Sequence, residues 1–357
     1  MTLSLIKQTQ SWSFEHDLAF ILESTETIFK DIQDAHIFIT GGTGFIGKWL
    51  LESLRFANVN LKTNIKATIL TRNINQFEKS YPHLAKDPLF HLIEGDVIHF
   101  KFDQTPYSHF IHAATDASAE LNDQNPVLMF NTVVEGTRHV LDLAKEKKPE
   151  RFLYLSSGAV YGQQPFEIEN VKEDWLGAPD CNNPRNAYAE GKRAAEMLCA
   201  IYGKQHKLHI SIARIFALLG PHLSLDIHFA AGNFIKDAME GRKVSVKGNG
   251  KPYRSYLYAS DLTIWLWHML QYAKPNQPYN VGSDESVSVE NLARRVALTV
   301  GDVGYEILGK KDSGWNLGRY VPDTSLIKKE LNLQRTVSLE DAILRTALWN
   351  GWKGKKV

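Results

Sequence analysis

Up to about residue 215, short apolar runs alternate with longer stretches whose apolar positions recur every three or four residues. HIFIT (36–40), KATILT (66–71), FHLIE (90–94), HFIHA (109–113), RFLYLS (151–156) and HISIAR (209–214) read as strands. Stretches 46–56, 127–147 and 187–203 carry helical periodicity. Short apolar strands separated by helices predict a parallel sheet covered on both faces, a doubly wound α/β fold. Ahead of it, Phe14, Leu18, Ile21, Leu22, Ile28, Phe29 and Ile32 recur at helical spacing, so residues 1–35 read as a helical extension packed outside the sheet. After residue 215 short strands, helices and loops such as GNGKPYR and GSDES follow irregularly. The expected division is a sheet domain over 36–215 and a smaller mixed α/β substrate lobe over 216–357, with interleaved boundaries and a cleft between them.

Residues 36–47, HIFITGGTGFIG, run from the first strand through Gly41, Gly44 and Gly47 into a helix. One glycine permits the turn, a second lets the backbone approach a pyrophosphate, and the third lets helix and strand pack closely. The unpaired N–H groups of the helix start attract the phosphates. Thr43, Phe45 and Ile46 belong to the same loop, and the whole reads as a Rossmann-type dinucleotide site. The second strand ends at Thr71-Arg72, where an NAD site usually offers a carboxylate to the ribose. The guanidinium suits a 2′-phosphate instead, which points to NADP(H) while leaving NAD(H) open. Asp96 and Val97 follow the third strand at the expected adenine position. Ala113 and Ala114 end the fourth, where small side chains let the backbone approach the cofactor.

NAYAEGKRAAE places Tyr188 and Lys192 four residues apart, on one helix face. Ser157 ends the preceding strand, where the nicotinamide is expected. A hydroxyl that loses hydride must also lose a proton, and a phenol with a pKa of ~10 needs help to take it at neutral pH. A neighbouring ammonium favours the phenolate. Ser157 would hydrogen-bond the reacting oxygen, and in the reducing direction Tyr188 would donate the proton.

Charge narrows the partners. With 41 basic and 40 acidic side chains, no field favours nucleic acid or an anionic membrane. Two cysteines, Cys181 and Cys199, allow no disulfide framework or metal site, which points to a reducing, cytoplasmic setting. No apolar stretch approaches the ~20 residues of a membrane span. His109 and His112 share a strand and read as packed residues.

TGGTGFIG, GDV, HAA, NTVVEGT, SSGAVYG, YAEGK, RIFALLGP, VKGNGKPYRSYLYASDL and RYVPDTS together resemble the extended short-chain dehydrogenase/reductase family of sugar-nucleotide epimerases, dehydratases and reductases, over about residues 35–345. The resemblance implies a nucleotide-diphosphate sugar as substrate. It also implies that Asn131 and Phe216 lie near the cofactor with the loop residues, Tyr188 and Lys192. Arg254 and Arg319 match arginines that hold the sugar's diphosphate. Asp261 matches a fold-supporting residue, and helices 127–147 and 187–203 match the pair that builds family homodimers.

The departures bear on the reaction. Family 4,6-dehydratases carry Asp-Glu, and sugar-acid decarboxylases a glutamate, after the serine position; here the residues are Gly158-Ala159. Asp116 or Glu190 would have to replace them. The usual asparagine after the sixth strand is Ala217, and a nucleotide-binding asparagine falls on Phe229, leaving His228 and Asn233 as substrate-site candidates. The minimal Ser–Tyr–Lys set suits an NADP(H)-dependent reductase of a nucleotide-linked 4-keto-6-deoxyhexose, or an NAD-dependent 4-epimerase. A dinucleotide-sensing scaffold on the same fold is the non-enzyme alternative.

Overall fold

The computed structural model describes residues 12–115, 119–226, 230–309 and 318–354. Six strands lie where the apolar runs place them: β1 His36–Thr40, β2 Lys66–Thr71, β3 Phe90–Glu94, β4 His109–His112, β5 Arg151–Ser157 and β6 Ile210–Ile215. A seventh, β7 Pro278–Val281, pairs in parallel with β6, and the order is β7-β6-β5-β4-β1-β2-β3. Ile37 lies opposite both Ala67 and His109, so β1 has β2 on one side and β4 on the other. The order reverses between β1 and β4, and a crevice opens beyond the C-terminal ends of such strands.

Strand alternation sorts the core into two layers. Ile37, Ile39, Leu153 and Leu155 face one cluster, while Phe38, Phe152 and Tyr154 face the other. The second cluster lies beneath α3 (Pro126–Lys147) and α4 (Ala187–His206), which pack on each other. The first lies beneath α1 (Phe14–Asp31), α2 (Phe45–Leu61) and α6 (Ala259–Tyr272). Between α4 and α6 comes α5 (Ala230–Met239), and α7 (Leu339–Trp349) closes the chain's helices. α6 is apolar nearly all round, as a helix covered on all sides must be. Its Trp265 and Trp267 are both buried, and Trp267 donates its indole N–H to Ser53 Oγ at 2.9 Å.

β7 and α6 both come from beyond residue 215, so the sheet layers are completed by the segment expected to form the substrate lobe. α1 buries Leu18, Ile21, Ile28 and Phe29, each contributing roughly 1.5–3 kcal/mol. Its buried Asp17 accepts from Tyr258 Oη at 2.5 Å and Arg345 Nη1 at 2.7 Å, tying α1 to the start of α6 and to α7. The rest of the C-terminal region builds small sheets. One joins Val287–Ser288, Tyr253–Arg254 and Arg319–Tyr320 and overhangs the end of β5. Among the described residues no helix is long and apolar enough to cross a membrane, and no cluster of three metal-ligating side chains exists.

Candidate active site

The glycine loop is shaped by contact. Gly41 sits at φ +72°, and a Cβ there would lie 2.5 Å from the Ala113 carbonyl carbon. A Cβ on Gly47 would lie 2.3 Å from Gly41 O, so only glycine lets α2 approach the turn this closely. Gly44 differs: a Cβ there would meet only Gly41 O, at 3.3 Å, and the residue caps α2 without a side-chain bond to the first helical N–H groups. An open approach to free amides is what a pyrophosphate needs.

A buried strut supports this loop from below. Thr137 donates to Val133 O at 2.6 Å, so its oxygen accepts from His112 Nε2 at 3.0 Å. Nδ1 is then bare and accepts from Thr40 Oγ1 at 2.7 Å, which in turn accepts from Ala114 N at 3.2 Å. Burial lowers the His112 pKa to about 3, with the Lys192 charge adding to the effect. The chain of bonds fixes the ends of β1 and β4 against α3, and it explains why His112 is packed rather than metal-binding.

The remaining cofactor candidates divide. Thr43 and Thr71 place their hydroxyls 3.4 Å apart beside the loop, and Arg72 follows on the exposed side. Phe45 and Ile46 begin α2 half-buried. Asp96 accepts from Ile98 N at 2.9 Å, and Val97 packs under Gly136 of α3. Asn131 stands on the exposed side of α3; Val133, two residues on, is buried and faces Gly191 of α4.

Ser157, Tyr188 and Lys192 converge. Ser157 ends β5, is buried, and accepts from Ala159 N at 3.2 Å as it caps a single 3₁₀ turn. The start of α4 is held from outside, because Asn122 Oδ1 accepts from Tyr188 N at 3.0 Å. Lys192 is buried, donates to Leu155 O at 2.7 Å, and lies 5.9 Å from the Tyr188 ring centre and 4.9 Å from that of Tyr154. The electrostatics correct one expectation. Burial raises the Tyr188 pKa, and the Ser157 hydrogen bond is what opposes the rise. Burial also lowers Lys192 to about 7 against the pull of Cys199 and Glu196.

Phe216 closes the site on the β6 side. A Cβ on Gly158 would lie 2.5–2.7 Å from three of its ring carbons, so the ring occupies the place where a side chain at 158 would begin. Tyr320, which sequence reasoning missed, packs against Phe216 at 4.6 Å with the rings tilted by 39° and places its hydroxyl 3.4 Å from Ser157 Oγ. Glu190 is turned to Arg193, 3.5 Å away, and is engaged there as an ion pair.

On the rim, Arg319 and Arg254 occupy neighbouring strands, with Arg319 opposite Tyr253 and Tyr320 opposite Arg254. Arg254 Nη1 donates to the carbonyls of Tyr253 and Gly318 at 2.7 and 3.1 Å. The Arg319 guanidinium lies against two rings, Phe166 and Tyr253, 4.7 and 4.5 Å from their centres, and its Nε is buried with no partner among the described residues. A guanidinium held in place by two rings presents its remaining N–H groups in a fork that suits a phosphate. Asn233 is half-buried on the first turn of α5, whereas His228 and Asp116 lie outside the described residues. Asp261 supports the fold, accepting from Thr336 N, Thr336 Oγ1 and Val337 N.

The sequence profile of the NAD dependent epimerase/dehydratase family matches residues 37–282. The chain is 32% identical over 311 residues to UDP-glucuronic acid decarboxylase 6 of Arabidopsis thaliana, covering 86% of each protein. It is 30% identical over 313 residues to UDP-glucuronic acid decarboxylase 1 of Xenopus tropicalis, covering 87% of this chain and 70% of that one. Its fold matches that of UDP-glucuronic acid 4-epimerase from Bacillus cereus, solved with UDP-glucuronic acid and NAD, with a TM-score of 0.72, 22% identity, and coverage of 88% and 98%.

Proposed function

The chain belongs to the NAD-dependent epimerase/dehydratase family, and from that premise we propose that it moves hydride at a single carbon of a nucleotide-linked hexose, with no coupled loss of water or carboxylate. Within that class the reading is NADP(H)-dependent reduction of a 4-keto-6-deoxyhexose. One observation carries it: the Ser157–Tyr188–Lys192 set is assembled, while Gly158 and Ala159 offer no acid and the Phe216 ring fills the space beside them. Elimination needs a proton donor and a base at the neighbouring carbons, and this wall supplies neither.

The glycine loop, Thr71 and Arg72 would hold the dinucleotide, which when bound supplies or accepts the hydride. Ser157 hydrogen-bonds the reacting oxygen, and Tyr188 delivers a proton to it. A phenol is protonated at neutral pH, and burial keeps it so, as a proton donor in the reducing direction must be. Arg319 and Arg254 would meet the diphosphate. Arg72, in place of a ribose-binding carboxylate, supports NADP(H). A second reading, NAD-dependent 4-epimerisation, is favoured by the NAD and UDP-sugar held in the similar Bacillus cereus fold.

The test supplies NADPH or NADH together with dTDP-, UDP- and GDP-linked 4-keto-6-deoxyhexoses and follows the nicotinamide absorbance. Tyr188→Phe should slow turnover by about 10²–10⁴-fold while retaining dinucleotide binding. No turnover in either chain would leave the scaffold alternative, and equal measurable rates would remove Tyr188 from the chemistry. Interconversion of UDP-hexose epimers with no net change in cofactor would select the epimerase. Release of carbon dioxide from UDP-glucuronic acid would defeat both readings.

We infer also that two copies pair through α3 and α4, whose Val127, Leu128, Phe130, Met197 and Ile201 stand exposed.

A further inference from the structure

The Ser157 hydroxyl has one hydrogen and two lone pairs, and its value as a donor depends on where that hydrogen points. Ala159 N–H fills one lone pair from 3.2 Å. The Tyr320 phenol stands 3.4 Å away, 163 residues further along the chain. It is fixed there from several sides. Tyr320 pairs with Arg254 across the small sheet, the next residue, Val321, donates its N–H to buried Gln164 Oε1 at 2.9 Å, and the Tyr320 ring lies against Phe216 at 4.6 Å.

We propose that Tyr320 is a positioning residue: its O–H fills the second lone pair of Ser157, leaving the serine's own hydrogen to point at Tyr188 Oη and the substrate oxygen. The C-terminal lobe thereby sets the orientation of a hydroxyl on the sheet. The proton of Tyr320 is not transferred. Burial holds its phenol well above the usual tyrosine range, so it stays a donor throughout. Ile215 O, also 3.4 Å from the phenol, competes for the same hydrogen, and the experiment must decide between the two acceptors. The inference rests on Tyr188 being the acid/base group of the proposed reaction.

Tyr320→Phe removes the hydroxyl and keeps the ring on Phe216. In the full chain, 3-fluorotyrosine at position 188 brings that phenol's titration down into a range the fold tolerates, where ¹⁹F NMR reads it without any substrate. Tyr320→Phe should raise the midpoint by about half a pH unit, because a weaker Ser157 donor stabilises the phenolate less. The same change in a Ser157→Ala background should have no effect. Equal midpoints would mean that the phenol gives its hydrogen to Ile215, and an equal rise with and without Ser157 would mean a general packing effect; either overturns the proposal. With a keto sugar, Tyr320→Phe should lower kcat about tenfold with KM within about twofold, the pattern of a lost transition-state contact. A wild-type chain that reduces no keto sugar would defeat the proposed function, yet the titration would still decide the role of Tyr320.

Discussion

A side chain at position 158 would have to share its space with the Phe216 ring, and that ring is pinned by Tyr320 and Tyr161 at centroid distances of 4.6 and 6.3 Å. Gly158→Asp, which copies the acid of family dehydratases, should therefore cost about 1–3 kcal/mol by overpacking and confer no dehydration. Adding Phe216→Leu should recover part of that loss. Urea denaturation of the three variants checks it; a Gly158→Asp chain as stable as wild type would show that the ring moves freely and that the wall does not select the reaction. At this scale the sequence carried Ser157, Tyr188 and Lys192, because a strand end and a four-residue helical spacing are local patterns. It could not carry Tyr320, which reaches Ser157 from a two-residue strand with no periodicity around it. Nor could it give the sign of the Tyr188 shift. Residue types suggest an ammonium beside a phenol, but burial penalises both charges, and only coordinates show how dry the pair is.

Among the elements, β1–β6 were legible because each is a short apolar run bounded by polar turns. β7 was not: PYNV is four residues long, begins with proline and includes asparagine. It sits at the sheet edge, paired only with β6, where a missing N–H is tolerated. Once there, Asn280 accepts the Tyr161 hydroxyl at 2.7 Å and anchors the loop beyond β5, a job that apolar patterning does not reveal. α3 and α4 were read correctly as helices, and their shared contact is close because Gly191 meets Val133 at 3.2 Å from its would-be Cβ. Their outer sides leave Val127 68% and Met197 62% exposed, with Leu128, Phe130 and Ile201 also exposed on the same two helices. Met197→Asp should place a charge in the inferred pairing surface and yield a monomer with unchanged circular dichroism. Sedimentation of both chains at tens of micromolar checks this, and a wild type that sediments as a monomer rejects the pairing.

For the molecule as a whole, the buried titratable groups oppose one another as pH falls. His112 and His222 are each lowered to about 3 by burial, so between the unfolded value near 6.5 and that folded value the unfolded chain takes up protons that the native chain refuses. Stability is then lost as pH falls through that window. Asp17, Asp261 and Glu173 are raised by burial, so their protonation favours the native chain and offsets part of the loss once pH reaches the carboxylate range. Below about pH 6.5, where Lys192 has mostly regained its proton, the histidines dominate. His112 by itself should account for about 2 kcal/mol between pH ~6.5 and ~5, at ~1.4 kcal/mol per unit. His112→Gln removes that titration while keeping a donor for Thr137, so its stability should change less over this interval than that of wild type, with the remaining slope shared by His222 and by His36, His109 and His268, which burial also lowers. Urea midpoints for both chains at the two pH values measure the difference. Parallel slopes would mean that His112 is already reached by water, and the strut that joins the ends of β1 and β4 beneath the glycine loop would have to be redrawn.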